Sequence, residues 1–255
     1  VRPWLSGHHK LPHASAPAAP KTAAKPPATI KPFRKLPKRG EAVWAIQPLA
    51  EEGLVAIGSN DGGVQIVDWR RGKKLASYRT SGVFALASSP DGTKLAAGCQ
   101  GGLVIWDTST WEMKASRFVH NIWDVAFASD ELLVAVGHYA AIKLWSPALE
   151  QVASADSHGM TIRMCGDKLI AVGPKSSDDE EAVATVHDIE TLKPGASYAL
   201  EGLPSAGRQT VAVSGDRLFA RGVWQGDDLP AVVLSGGERI IETSLDLSPM
   251  RLGVG

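Results

Sequence analysis

The sequence predicts an all-β fold, a propeller of four-stranded antiparallel blades, on three observations. Short runs rich in Val, Ile, Leu, Ala and aromatic residues alternate with turn residues about every 8–12 positions, and helix signals are almost absent. One pattern of three such runs returns with a period of about 40 residues. A period of that length, with four strands per unit, is the signature of a propeller blade.

The first 40 residues stand apart. They are rich in Pro, Ala and Lys, and carry nine basic side chains (Arg2, Lys10, Lys21, Lys25, Lys31, Arg34, Lys35, Lys38, Arg39) and no acid. Low hydrophobicity with many prolines does not offset the entropy lost on ordering. Residues 1–40 are therefore expected to form a disordered or extended basic linker of polyproline character. Residues 41–255 hold 18 basic and 27 acidic side chains, so the net charge of zero hides a basic arm on an acidic body. Apart from Trp4 and Phe33 the arm lacks aromatics, and nucleic-acid contact is expected only through it. A chain that opens on Val1 and on a linker suggests further sequence upstream.

The repeat begins at Val43. The first strands are Val43-Trp44-Ala45-Ile46, Val83-Phe84-Ala85-Leu86 and Ile122-Trp123-Asp124-Val125, with their aromatic residues 40 and 39 positions apart. The second strands run Leu54 to Gly58, Leu95 to Gly98 and Leu132 to Gly137. The third strands end at Val67-Asp68, Trp106-Asp107 and Trp145-Ser146, where Val67, Trp106 and Trp145 are spaced 39 and 39. Between the strands of the second copy lie Ser89-Pro90-Asp91-Gly92 and Gly101-Gly102. In such turns Pro presets φ, Asp bonds its own backbone and Gly accepts φ > 0. A fourth copy (Ile162–Met164, Lys168–Gly173, Val183–Asp188) places His187-Asp188 where Trp-Asp stood, after an acidic insertion. A fifth copy spans Thr210–Val213, Arg217–Gly222 and Ala231–Leu234. Ser244–Pro249 and Arg251–Gly255 match the first two strands of a sixth. The expected ring has about five to six blades, incomplete at its C-terminal end, and, since open strand edges invite pairing, it is completed by another segment or chain or else closed within the chain by irregular C-terminal strands.

The unit resembles the WD-repeat family. The residues that carry the resemblance are Ser89-Pro90-Asp91-Gly92 between the first two strands, Gly98 ending the second, Trp106-Asp107 ending the third, and the strand Ile122 to Phe127 with Trp123 near its start. It covers about Glu41 to Gly255, is specific in the first three copies, and departs from the family in three places. The Gly-His pair before a blade is only approached by Ser157-His158-Gly159. Gln100 and Tyr139 replace the turn aspartate that Asp61 supplies in the first copy. The buried His-Asp-Ser-Trp network is largely absent, so the blades must rest on apolar packing. The resemblance implies a divergent, bacterial-style propeller: a rigid interaction platform, usually without catalysis.

On this reading the chain is a non-catalytic protein–protein interaction scaffold or sensor module, holding a protein partner or another subunit of a complex on its rim. It would regulate an associated signalling or effector domain. Trp44, Phe84 and Trp123, at matching places in strands that line the channel, are the candidate recognition surface. Arg79, Arg117, His120, Asn121, His138, Tyr139 and His158 are expected on the same rim. Asp178, Asp179, Glu180 and Glu181 form an acidic turn suited to a basic partner. No nucleophile elbow, Walker loop, dinucleotide fingerprint or zinc-protease motif occurs, and neither a cofactor nor a metal is expected. The alternative is a propeller enzyme or small-ligand binder with its site at the channel mouth. Two cysteines, Cys99 and Cys165, are no disulfide framework. With no apolar run near the roughly 20 residues of a membrane span and no apolar leader core, the expected compartment is the cytoplasm.

Overall fold

The alternating runs form strands that begin and end where the turn residues fall. In a computed structural model, residues 42–60, 63–137, 141–174, 181–204, 208–214, 217–223, 231–235 and 238–243 are described. The expected linker over residues 1–40 and the expected sixth copy over residues 244–255 lie outside them.

Five four-stranded sheets follow one another along the chain. The first holds β1 (Val43–Pro48), β2 (Leu54–Ser59), β3 (Gly63–Asp68) and β4 (Lys73–Tyr78). The second holds β5 (Val83–Ser88), β6 (Lys94–Cys99), β7 (Gly102–Asp107) and β8 (Met113–Phe118). The third holds β9 (Ile122–Ser129), β10 (Leu132–Gly137), β11 (Ala141–Trp145) and β12 (Gln151–His158). The fourth holds β13 (Thr161–Cys165), β14 (Lys168–Pro174), β15 (Glu181–Asp188) and β16 (Pro194–Pro204). The fifth holds β17 (Arg208–Ser214), β18 (Arg217–Val223), β19 (Ala231–Ser235) and β20 (Glu238–Thr243). Every sheet is an antiparallel meander in chain order. Its first strand packs beside the first strand of the next: β1 on β5, β5 on β9, β9 on β13 and β13 on β17. These innermost strands line a central channel, and the sheets are the blades of a propeller.

Apolar packing between successive blades holds them. Trp106 of β7 is buried with Leu54, Ala56 and Ile66 of the first blade, and Trp145 of β11 with Leu103 and Ile105 of the second. Like clusters join the third blade to the fourth and the fourth to the fifth. Leu95, Leu133 and Leu169 have no accessible surface, and each such side chain contributes about 1.5–3 kcal/mol. The buried Trp145 Nε1 has no acceptor among the described residues, in keeping with the missing polar network.

The glycine that ends each second strand is a packing requirement. A Cβ on Gly58 would sit 2.5 Å from Val83, and one on Gly98 2.7 Å from Ile122. Each glycine therefore receives the first residue of the next blade. The turn after each third strand repeats as well. Gly72, Trp111, Leu149 and Leu192 all take the left-handed conformation there, with φ of 62°, 59°, 59° and 54°. Aspartates (Asp68, Asp107, Asp188) cap three of those turns, and Ser146 caps the one that holds Leu149. Asp107 accepts from Ser109 N at 2.9 Å, Ser109 Oγ at 2.6 Å and Thr110 N at 3.1 Å, and these bonds hold its carboxyl down to about 2. Asp188 accepts from Thr191 N at 3.0 Å and Thr191 Oγ1 at 2.8 Å. In the Ser89–Gly92 turn, Asp91 accepts from Ser89 Oγ at 2.6 Å and Thr93 N at 2.9 Å, which likewise lowers its pKa.

One blade face differs from its equivalents. Val83 and Leu86 of β5 are buried against the first blade at 0% and 9% exposure, whereas their counterparts Val43 and Ile46 of β1 are 40% and 63% exposed. Among the described strands β17 does not pack on β1 as β1 packs on β5.

Candidate functional site

The three aromatic residues of the first strands come together, and a shared irregularity places them. In β1 the register passes from Val43 opposite Ser59 to Ala45 opposite Gly58, so Trp44 is the extra residue of a β-bulge. In β5, Val83 faces Cys99 and Ala85 faces Gly98, leaving Phe84 extra. In β9, Ile122 faces Gly137 and Asp124 faces Val136, leaving Trp123 extra. A bulged residue is released from strict alternation and its side chain is re-aimed. The rings of Trp44 and Phe84 lie 5.3 Å apart, and those of Phe84 and Trp123 6.5 Å apart, both tilted. Trp44 is 44% exposed, while Phe84 and Trp123 are half-buried. The pairing in β13 is continuous and has no such bulge.

Backbone bonds tie the rim around this row. Asn60 N donates to the Ala42 carbonyl at 3.2 Å, Gln100 N to the Gly82 carbonyl at 2.8 Å, and Asn121 N to the Gln100 carbonyl at 3.3 Å. Gly101 N donates to Ser81 Oγ at 2.8 Å. The links between blades and the turns between second and third strands thus share one rim. Arg79 and His120 are exposed on the links, and Asn121 holds a positive φ of 33° there. Arg117 is drawn away to the seam between the second and third blades. Its guanidinium lies 5.8 Å from the Trp145 ring, and Nη1 donates to the Leu149 carbonyl at 3.5 Å. His138, Tyr139, Asp178, Asp179 and Glu180 lie outside the described residues, as does the side chain of His158. Glu181 opens β15, and its carboxylate accepts from Gly202 N at 3.3 Å.

The channel holds a cavity of about 440 Å³ lined by Trp44, Gln47, Ser88, Asp124 and Arg163 among others. Arg163 of β13 donates from Nη1 to Asp124 Oδ2 at 2.8 Å and from Nε to the Val211 carbonyl at 2.8 Å. Asp124 Oδ2 also accepts from Ile162 N at 3.0 Å. The two charged groups that line this cavity are therefore spent on each other and on the backbone, joining β9, β13 and β17.

Sequence reasoning missed both residues. Their signal was available: an acid inside the apolar run Ile122–Phe127, where the other copies have Ala45 and Ala85, and a base between Ile162 and Met164. Other reactive groups are muted. Burial pushes the Cys99 thiol up to about 11, despite a bond to Thr80, so it stays protonated near neutral pH. Burial, and the nearby Asp167, also raise the Cys165 thiol. His187, fully buried in the Trp-Asp place of the fourth blade, donates from Nδ1 to the Leu192 carbonyl at 3.0 Å, and burial lowers its pKa. Among the described residues no group of three His, Cys, Asp or Glu is placed to hold a metal ion, and no helix is long and apolar enough to cross a membrane.

Residues 72–107 match the family model "WD domain, G-beta repeat", a span from β4 through β7. No curated protein matches the sequence. Among solved structures the chain is similar to the hydrazine synthase of Kuenenia stuttgartiensis, with a TM-score of 0.65 and 13% identity over 77% of this chain and 64% of that one. It is also similar to the β-propeller domain of Cps50 (Swd1) from Myceliophteria thermophila, with a TM-score of 0.61 and 16% identity over 77% of this chain and 66% of that one. The chain spans less than two thirds of either, and identities this low carry the fold alone. The chain thus carries one matched WD repeat, in blades of a β-propeller fold that its structural neighbours share.

Proposed function

We propose that this propeller is a non-catalytic interaction module that holds a protein partner on its rim, with Trp44, Phe84 and Trp123 as the recognition row. The observation that carries the reading is the three consecutive β-bulges, each with an aromatic at the extra position. Bulged aromatics side by side form a broad, rigid apolar surface, and such side chains dominate interface energetics. Arg79 and His120, exposed on the adjoining links, supply a polar border.

The channel favours this reading over a small-ligand or enzymatic one. The carboxylate and guanidinium that line its cavity already satisfy each other. The likeness to hydrazine synthase rests on shared fold and transfers no activity. The exposed Val43 and Ile46 support completion of the ring by a blade from another segment or chain. Held in that way, the module would report on, or regulate, an associated signalling or effector domain.

Affinity capture from an extract of the source organism, quantified by mass spectrometry, tests the proposal. Wild type, Trp44→Ser and Trp69→Ser are compared, Trp69 being 52% exposed just beyond β3. A partner retained by wild type and Trp69→Ser and lost by folded Trp44→Ser supports the rim. A partner lost only with Trp69→Ser sinks it.

A further inference from the structure

The recognition row is most open at β1. Val43, Trp44 and Ile46 are 40%, 44% and 63% exposed on that one strand, and beyond Trp44 the row continues through Phe84 and Trp123. A bare apolar surface of this kind favours an occupant. The chain itself enters the propeller at this point. Asn60 N holds the Ala42 carbonyl on the rim at 3.2 Å, two residues before Trp44. Whatever precedes Ala42 is thereby tethered beside the row.

The sequence that precedes it has a matching pattern. Ile30, Phe33 and Leu36 are the only large apolar residues in 12–41. They recur at every third position, which is the period of a polyproline II helix, so in that conformation all three fall on one face. Lys31 and Arg34 fall on the second face, and Lys35 and Lys38 on the third. Pro32 and Pro37 preset φ, which lowers the cost of ordering the segment. At about 3.1 Å per residue, the stretch from Phe33 to Ala42 reaches up to about 28 Å, while the rings of the row follow one another at 5.3 and 6.5 Å. Gly40 tolerates the φ > 0 that a reversal over the row requires. Charge favours the encounter, since residues 1–40 carry nine bases and no acid, and residues 41–255 have 27 acids against 18 bases.

We propose that the chain's own arm docks on the row of Trp44, Phe84 and Trp123 through Ile30, Phe33 and Leu36, as an extended polyproline segment that a protein partner must displace. The proposal rests on that row being the recognition surface. Aromatic-lined surfaces hold Pro-rich extended segments because such a segment has little freedom left to lose. The bases lie on the two faces turned away from the rings, clear of Arg79 and His120 on the rim. A short tether sets an effective concentration on the millimolar scale, so a contact too weak to persist between separate molecules competes with a partner here.

A fluorescent synthetic peptide of residues 28–40, titrated into the full chain, tests this. A chain carrying Ile30→Ser, Phe33→Ser and Leu36→Ser together loses its own stripe and keeps every blade residue. It should bind the peptide about tenfold more tightly than wild type, whose own arm holds the row. Adding Trp44→Ala to that triple variant should weaken the peptide's Kd about tenfold. A peptide of the same composition in scrambled order, its charge intact and its stripe broken, should also bind about tenfold more weakly. The proposal is overturned if the peptide binds neither chain, binds both alike, ignores Trp44→Ala, or is matched by the scrambled peptide. Sedimentation showing a wild-type dimer that the triple variant dissolves would also overturn it, by giving the arm to a second copy of the chain. A partner captured through Trp44 in equal amounts by wild type and the triple variant removes the arm and leaves the recognition row. Peptide binding as expected with no partner captured supports the arm and removes the partner instead.

Discussion

Arg163 Nη1 lies 2.8 Å from Asp124 Oδ2, joining the innermost strand of the fourth blade to that of the third. The Asp124 side chain is only 7% exposed and the Arg163 side chain 39%. Because the same carboxylate also accepts from Ile162 N, removing it leaves a backbone donor and a guanidinium without their acceptor.

Asp124→Ala should therefore cost about 2–3 kcal/mol and Arg163→Ala at least as much, since it leaves a carboxylate that is only 7% exposed without its cation. Urea unfolding of the two single variants and the double gives the coupling energy. A value of at least about 0.5 kcal/mol is expected for residues in direct contact. Strict additivity would show that the pair does not join the blades.

Leu192 is 1% exposed and has a φ of 54°. Leu192→Ala loses buried volume and should cost about 2–5 kcal/mol. At a left-handed position glycine recovers roughly 1 kcal/mol that alanine does not. Leu192→Gly should thus be no less stable than Leu192→Ala, reversing the usual order. A chemical-denaturation midpoint clearly lower for glycine would contradict the turn geometry.

His187 is buried and neutral, with its folded pKa below the ordinary 6.5. Between those two values the unfolded chain binds a proton that the folded chain does not, so stability falls as pH drops below about 6.5. Above that pH the contribution is complete. His187→Phe should lower stability at pH 8 by about 1–3 kcal/mol, because the Leu192 carbonyl loses its donor. It should also flatten the acid limb by up to about 1.4 kcal/mol per pH unit. An unchanged slope in unfolding measured from pH 7.5 to 5.5 would remove His187 as its source.

The blades were legible because a blade is a local object. Strand, turn and strand are neighbours in sequence, so Val83 to Asp107 announces β5, β6 and β7 almost residue for residue. Gly98 was legible as a position; its reason, the approach of Ile122 from the next blade, is a contact between blades. The aromatic spacing was visible, while the bulges that re-aim Trp44, Phe84 and Trp123 depend on cross-strand register. Arg117 was expected on the rim, and its attraction to Trp145 depends on how two blades pack. Trp111, Leu149 and Leu192 carry no glycine-like signal, since tertiary burial enforces their left-handed φ. The fourth strands, Lys73–Tyr78 among them, are the most exposed and least patterned, and they were the least readable.

The most direct measurement is the Kd of the captured partner for wild type and for Trp44→Ala, by calorimetry on the full chain. Trp44 is 44% exposed, so the variant should keep its fold. If the bulged row is the recognition surface, truncating Trp44 should cost about 2 kcal/mol or more, a roughly thirtyfold weaker Kd. A folded Trp44→Ala that binds as tightly as wild type would contradict the account.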